Sequence, residues 1–299
     1  MMSQNSDAIT AKTKAAAVSD VGFRAFIRRL RKNKTAFIGG CAIIFFILVA
    51  IFGPFLTVHD PYHVDYTNKL LTPSSEHWFG TDHAGRDIFT RIIHGTSITL
   101  FIGFFSVIIG MVIGVLLGII SGFYGGIIDT IIMRFMDILL AFPGILLAIA
   151  IAGVLGGSLG NVIIAVAIFS IPSFARVVRG STLALKKLEY IDAIKTLGAG
   201  DARIIFKHIL PNILSPIIVQ ATIRMAYAIL TASGLSFLGI GAQPPTPEWG
   251  AMLNDGRQFI FDYPHVALFP GLAIVAVVLA FNLFGDGLRD ALDPKLKQR

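Results

Sequence analysis

Residues 188–212, LEYIDAIKTLGAGDARIIFKHILPN, form a polar island of mixed charge between long apolar runs. Tyr190, Ile191, Ile194 and Leu197 recur at helical spacing with Glu189, Asp192 and Lys195 between them, which predicts a short helix with one apolar stripe. Gly198, Ala199 and Gly200 stop that helix. Asp201 can accept from the free amides of a second short helix, expected over 202–210 and ended by Pro211, whose nitrogen carries no hydrogen. Two short helices hinged at glycine make a compact knob, whereas an ordinary loop between membrane helices is short and unstructured.

The remainder reads as scaffolding in a bilayer. Hydrophobic residues make up 55% of the 299 positions and charged residues 14%, against about a quarter in soluble domains. The net charge of +7 first suggests a nucleic-acid partner, but the basic residues are sorted by side of the membrane and do not form one surface. Cys41 stands alone in an apolar run, which excludes a disulfide framework and a cysteine metal site.

Residues 1–35 are expected to be a cytoplasmic tail, small and polar at first and ending in the basic group Arg24, Arg28, Arg29, Arg31, Lys32 and Lys34. Residues 36–97 are expected to hold the first membrane helix, Phe37 to Leu56, and an external loop; residues 98–299 hold the core with five more spans. The second span is expected over Ile98 to Ile120, with Gly110, Gly114 and Gly118 on one small face for close helix approach. A third runs from about Ile127 to Leu155 with a kink at Pro143-Gly144, and its Arg134 and Asp137 share a face and can neutralise each other. The fourth, Val162 to Val178, delivers the chain to the knob. The fifth, Ile213 to Leu235, carries Arg224 near its middle, where an idle charge costs roughly 2.5 kcal/mol or more. Arg134 and Asp137 read first as a structural pair and second as a gate, and Arg224 either is structural, packed or paired with Asp137, or faces the path; these three are the candidate path residues. The sixth is expected over Val266 to Phe284 and leads to a basic cytoplasmic tail. The expected external loops hold eight acidic and four basic residues, which puts both termini in the cytoplasm.

Five of the seven histidines fall between residues 57 and 97. His59 and His63 have metal-binding spacing for a helix, but Pro61 between them argues against that helix, so no metal site is expected. Asp82, Arg86 and Asp87 form either a local ion-pair turn or a receptor contact. In the later loop Gln243 lies among prolines, and Trp249 can anchor at the membrane interface.

The knob resembles the cytoplasmic loop of the permease subunits of bacterial ATP-binding-cassette importers. Asp192-Ala193-Ile194 stands where that family has Glu-Ala-Ala, Gly198 falls at the family's spacing, and Leu210-Pro211 closes the motif with His208 at a usual isoleucine position. Phe79-Gly80-Thr81-Asp82, Gly85-Arg86-Asp87, the run from Gly239 to Gly250 and the run from Gly285 to Lys295 resemble the second, C-type permease of dipeptide and oligopeptide systems. The resemblance implies an all-α integral membrane protein of six spans with a cytoplasmic coupling loop at 188–212, the type I importer permease fold. It implies a bacterial inner-membrane location and four kinds of neighbour: a second homologous permease, two ATPase subunits, an external substrate-binding protein and the bilayer. Glu189, Tyr190, Asp192, Ala193, Leu197, Gly198, Ala199, Leu210 and Pro211 would then dock in the ATPase, whose closure drives alternating access for di- and oligopeptides, glutathione or a nickel complex.

No Gly-x4-Gly-Lys-Ser/Thr loop occurs, so the chain is expected to be non-catalytic and to hold no cofactor. A secondary transporter would need coupling carboxylates deep in the membrane, for which Asp137 is a weak candidate. An intramembrane serine protease is suggested by Gly156-Gly157-Ser158-Leu159-Gly160, but the flanks read as membrane helices and no histidine is placed inside a span.

Overall fold

A computed structural model of the chain describes residues 33–292. The basic group before residue 33 and the tail with Lys295, Lys297 and Arg299 lie outside the described residues. The described chain is almost entirely helical, with five helices long and apolar enough to cross a membrane and a bent pair that makes a sixth span.

Helix α1, Lys34–Leu56, begins where the Asn33 side chain accepts from the amides of Thr35 and Ala36 at 3.1 and 3.2 Å. Helix α2, Ile88–Tyr124, has 37 residues and is about 55 Å long at 1.5 Å per residue, well beyond a hydrocarbon core of about 30 Å. It starts ten residues earlier than the expected span because Asp87 caps it, accepting from the Thr90 amide at 2.8 Å. The fall in hydropathy before residue 98 marks emergence from the bilayer, and the helix continues through it.

The third span is broken outright. Helices α3, Gly126–Ala141, and α4, Gly144–Leu155, meet at 92°. Pro143 supplies no amide hydrogen, and the Phe169 ring occupies the place that a side chain at Gly144 would take. Ser158 then caps α5, Leu159–Lys186, accepting from the Asn161 amide at 3.2 Å. A cap for a membrane helix is therefore what the hydrolase-like pattern encodes.

After α5 come the short helices α6, Glu189–Thr196, and α7, Asp201–Ile204, then one wide turn at Ile205–Ile209 and helix α8, Leu210–Phe237. Pro211 does not end the second knob helix, contrary to expectation. It sits in the first turn of α8, where a missing amide is harmless, and the Asn212 side chain donates to the His208 carbonyl at 2.6 Å. Residues 201–237 thus form one helical rod. Helix α9, Trp249–Gly256, is short, and α10, His265–Leu292, completes the fold against α1 and α8.

The tightest seam joins α2 to α5. A Cβ at Gly110 would lie 2.8 Å from the Ala167 carbonyl oxygen, at Gly114 2.6 Å from Phe174 Cβ, at Gly118 2.6 Å from the Ala175 carbonyl oxygen, and at Gly122 2.8 Å from Thr182 Cβ. Both residue series rise together, so the two helices run parallel with backbones nearly touching, and dispersion replaces the hydrophobic effect that lipid removes. Gly114→Ala is expected to destabilise the detergent-solubilised protein by about 1–3 kcal/mol, because the backbone neighbour at 2.7 Å cannot yield. Gly180→Ala, on the same pair of helices with nothing within 4 Å, is expected to change the melting midpoint little. Equal midpoints for the two variants would refute the seam.

Candidate functional site

The knob is held from beneath and bare on top. Ile191, Ile204 and Ile209 are buried with Ile119, Phe123 and Val178, so α6 and α7 are clamped to the ends of α2 and α5. Gly198 has φ +84°, a left-handed turn that lets its amide donate to the Lys195 carbonyl at 3.0 Å while the Ala199 amide reaches Ile194 at 3.3 Å. The expected apolar stripe is split. Ile191 is buried and Ile194 partly so, whereas Tyr190 is 41% and Leu197 87% exposed. Leu188 and Phe206 are exposed beside them, as are Glu189, Asp192, Ala193 and Pro211, while Ala199 and Leu210 pack against the core below.

A second group of polar residues lies within the spans. Asp137 does not pair with Arg134 as expected; it accepts from Arg176 on α5 at 2.6 Å. The reason is that α3 lies along α5, which brings Arg176 within reach across the seam. One turn nearer the knob, Arg179 makes a two-pronged contact with Asp129 at 2.5 and 2.6 Å, and Ser121 donates to the same carboxylate. Arg224 lies halfway along α8 with its guanidinium carbon 6.0 Å from the Phe169 ring centre and 5.4 Å from that of Tyr227. Among the described residues no carboxylate pairs with Arg224, and its Nε has no hydrogen-bond partner. The same Phe169 ring covers Gly144, so the break in the third span and the unpaired arginine meet at one aromatic side chain.

The opposite end of the bundle is closed by a buried polar clasp. Arg86 Nε donates to Asp82 at 2.6 Å and its NH2 reaches Asp255 at 3.3 Å, while the other Asp82 oxygen accepts from the amides of Ala84 and Arg86. Asp82, Arg86 and Asp87 are 4–5% exposed, so they act as internal struts and offer no surface to a receptor. Trp249 is likewise fully buried and is no interface anchor. Its Nε1 donates to the Ile92 carbonyl at 3.0 Å, its ring meets Phe46, and Gly95 leaves room for it. Gln243 is exposed and donates to the carbonyls of Gly239 and Gly241.

Two members of this clasp escaped the sequence reading. Arg91, 1% exposed, donates to the carbonyls of Pro61 and Pro245 and so ties both loops together. Glu248, 0% exposed, accepts from the Ala251 amide at 2.9 Å and from the Ser233 hydroxyl at 3.3 Å. Burial pushes the Glu248 carboxyl up from its usual range, opposed by hydrogen bonds from the Gly250 and Ala251 amides. The signal available for Glu248 was its place between Pro247 and the first residue of α9, a helix-cap position.

Comparison with known proteins places these features in context. Residues 114–298 match the family described as binding-protein-dependent transport system inner membrane component, and residues 23–73 match the N-terminal TM domain of oligopeptide transport permease C. The glutathione transport system permease protein GsiD of Salmonella typhimurium is 57% identical over 276 residues, covering 92% of this chain and 91% of that protein. The dipeptide transport system permease protein DppC of Alkalihalophilus pseudofirmus is 54% identical over 275 residues, covering 92% and 90%. Among solved structures, an inward-facing MetNI methionine ABC transporter chain aligns with TM-score 0.55 at 22% identity over 69% of this chain and 98% of its own. A chain of an amino acid ABC transporter aligns with TM-score 0.51 at 15% identity over 68% and 94%. At these identities the two structures speak for the fold.

The cross-helix pair can be tested by a double-mutant cycle with Asp137→Ala and Arg176→Ala. Each single change leaves a charge unmatched within a span, so the double variant is expected to melt higher than the sum of the single losses, with coupling of about 1 kcal/mol. Strict additivity would show that the two side chains do not support each other.

Proposed function

This chain belongs to the family of binding-protein-dependent transport system inner membrane components, as a permease subunit of an ATP-binding-cassette importer, and we propose that it forms half of a translocation path for di- and oligopeptides. The family works with ATPase and permease partners in the inner membrane. The finer assembly is part of the proposal: a second homologous permease, two ATPase subunits that receive the knob, and an external substrate-binding protein. Both termini and the knob then face the cytoplasm, and the Asp82–Asp255 clasp faces outward. Residues 36–97 are read as a first helix with its external loop, and residues 98–299 as the core permease unit.

The observation that carries the path is the set of charges on the α3, α5 and α8 side of the bundle. The Asp137 and Arg176 side chains are 53% and 52% exposed although both lie within spans, and the Arg224 guanidinium lies near two aromatic rings with no carboxylate partner among the described residues. Hydrocarbon cannot face such groups at low cost, so this side of the bundle belongs against water or a partner chain. Arg134, exposed on α3 and without a carboxylate partner among the described residues, falls under the same argument and stays in the path set. A peptide offers carboxylates and carbonyls to a guanidinium. Glutathione offers two carboxylates on a tripeptide backbone, and the GsiD relatives favour it as the second reading.

Leu197 supplies the cleanest test of docking, because its side chain is 87% exposed and its loss removes little within this chain. Leu197→Asp is expected to leave assembly in the membrane intact and to lower ATP-driven peptide uptake at least tenfold, with hydrolysis no longer responding to loaded binding protein. Gly198→Asp should do the same, with added strain at its left-handed turn. Uptake at the parental rate by both reconstituted variants would remove the docking role.

For Arg224, normal complex yield is expected with both Arg224→Lys and Arg224→Gln, and uptake should fall further with glutamine, since lysine keeps the charge. Reduced yield with a proportionate loss of uptake would make Arg224 a structural residue.

A further inference from the structure

We propose that His59, His77 and Asp87 form a divalent transition-metal site of the zinc type at the end of the bundle away from the knob. The three residues come from separate pieces of chain: His59 follows α1, His77 lies in the turn before α2, and Asp87 is the cap of α2. One ligand atom from each lies within 4.8 Å of the others. The nearest pair, His77 Nδ1 and Asp87 Oδ1, is 2.9 Å apart, close to the edge of a zinc tetrahedron, about 3.3 Å for bonds of about 2.0–2.1 Å. The rings of His59 and His77 lie side by side, with centres 4.9 Å apart and planes inclined by 32°.

The surroundings hold these ligands as metal sites hold theirs. The second oxygen of Asp87 accepts from the Thr90 amide at 2.8 Å, which fixes the carboxylate and points the first oxygen at His77 Nδ1. The Nε2 of His59 meets the Glu76 carbonyl at 3.3 Å; the carbonyl accepts, so Nε2 carries the proton and Nδ1 keeps its lone pair. His77 and Asp87 are buried at 8% and 4%, and His59 is half-buried on the open side. A cation here would displace the proton between His77 Nδ1 and Asp87 Oδ1 and release it to solvent. Two imidazole nitrogens and one carboxylate oxygen suit zinc, with a fourth position for water. His63, the partner suggested by spacing along the chain, is exposed and is not in the group. Occupancy would clip the end of α1 to the start of α2, independently of how the knob or the path works.

The test uses the full-length chain in detergent, carrying no histidine tag, and zinc ions as the probe. After equilibration with zinc and gel filtration, the parent chain is expected to retain one zinc per molecule, and its melting midpoint should rise with added zinc. His59→Gln, which alters the most open ligand, and Asp87→Asn, which keeps an oxygen for the Thr90 amide, are each expected to weaken binding by more than about tenfold. His63→Gln should behave as the parent. A parent chain that retains no zinc, or retention by His59→Gln equal to the parent, which marks adventitious binding elsewhere, would overturn the site.

Discussion

Charge in hydrocarbon is the constraint on which the rest of this structure depends. A carboxylate or guanidinium within a span must find an opposite charge, a backbone group or water. Three arrangements in the chain answer that demand to different degrees. Asp129 and Arg179 neutralise each other by a two-pronged contact, Asp137 and Arg176 do so at a half-exposed position, and Arg224 is set against two ring faces. Among the described residues the arrangements run from paired to unpaired as they move from the knob toward the middle of the bundle.

Such charges can be held in place because the helices that carry them cannot drift. Gly110, Gly114, Gly118 and Gly122 bring α2 against α5 with no side chain of their own in the way, and α5 carries both Arg176 and Arg179. Gly39 and Gly287 serve the same purpose for α1 and α10, where a Cβ on either would strike the backbone of the other helix. At the far end, Arg91 and the Asp82–Arg86–Asp255 chain tie the two long loops to one another, so the lid is a polar core in miniature.

The spans were legible in the sequence because hydropathy and charge report directly on the bilayer, and the knob was legible because its glycines and mixed charge interrupt that pattern. What escaped the sequence reading was whatever depends on the partner across a seam. Arg134 and Asp137 are neighbours along α3, yet Asp137 turns to Arg176, thirty-nine positions away. Trp249 looks like an interface residue by composition and is buried because Gly95 makes room for it. Helix ends failed for a different reason: Asp87, Ser158 and Asn33 start helices outside the apolar windows, so a hydropathy reading truncates α1, α2 and α5. Pro211 misled because proline ends one helix and begins another with equal ease.

The continuity of residues 201–237 has a mechanical meaning. The helix continues through its one wide turn at Ile205–Ile209, and about 35 Å of it separates Asp201 from Arg224 at 1.5 Å per residue. Above that wide turn the backbone runs on as one helix from Leu210 to Phe237, so the knob and Arg224 are joined through a continuous hydrogen-bonded backbone. The neighbouring span is instead bent by 92° at Phe142–Pro143. The continuous helix and the bent span thus share one contact, the Phe169 ring of α5, which lies against both Gly144 and Arg224, so a displacement of either reaches the other through that single side chain.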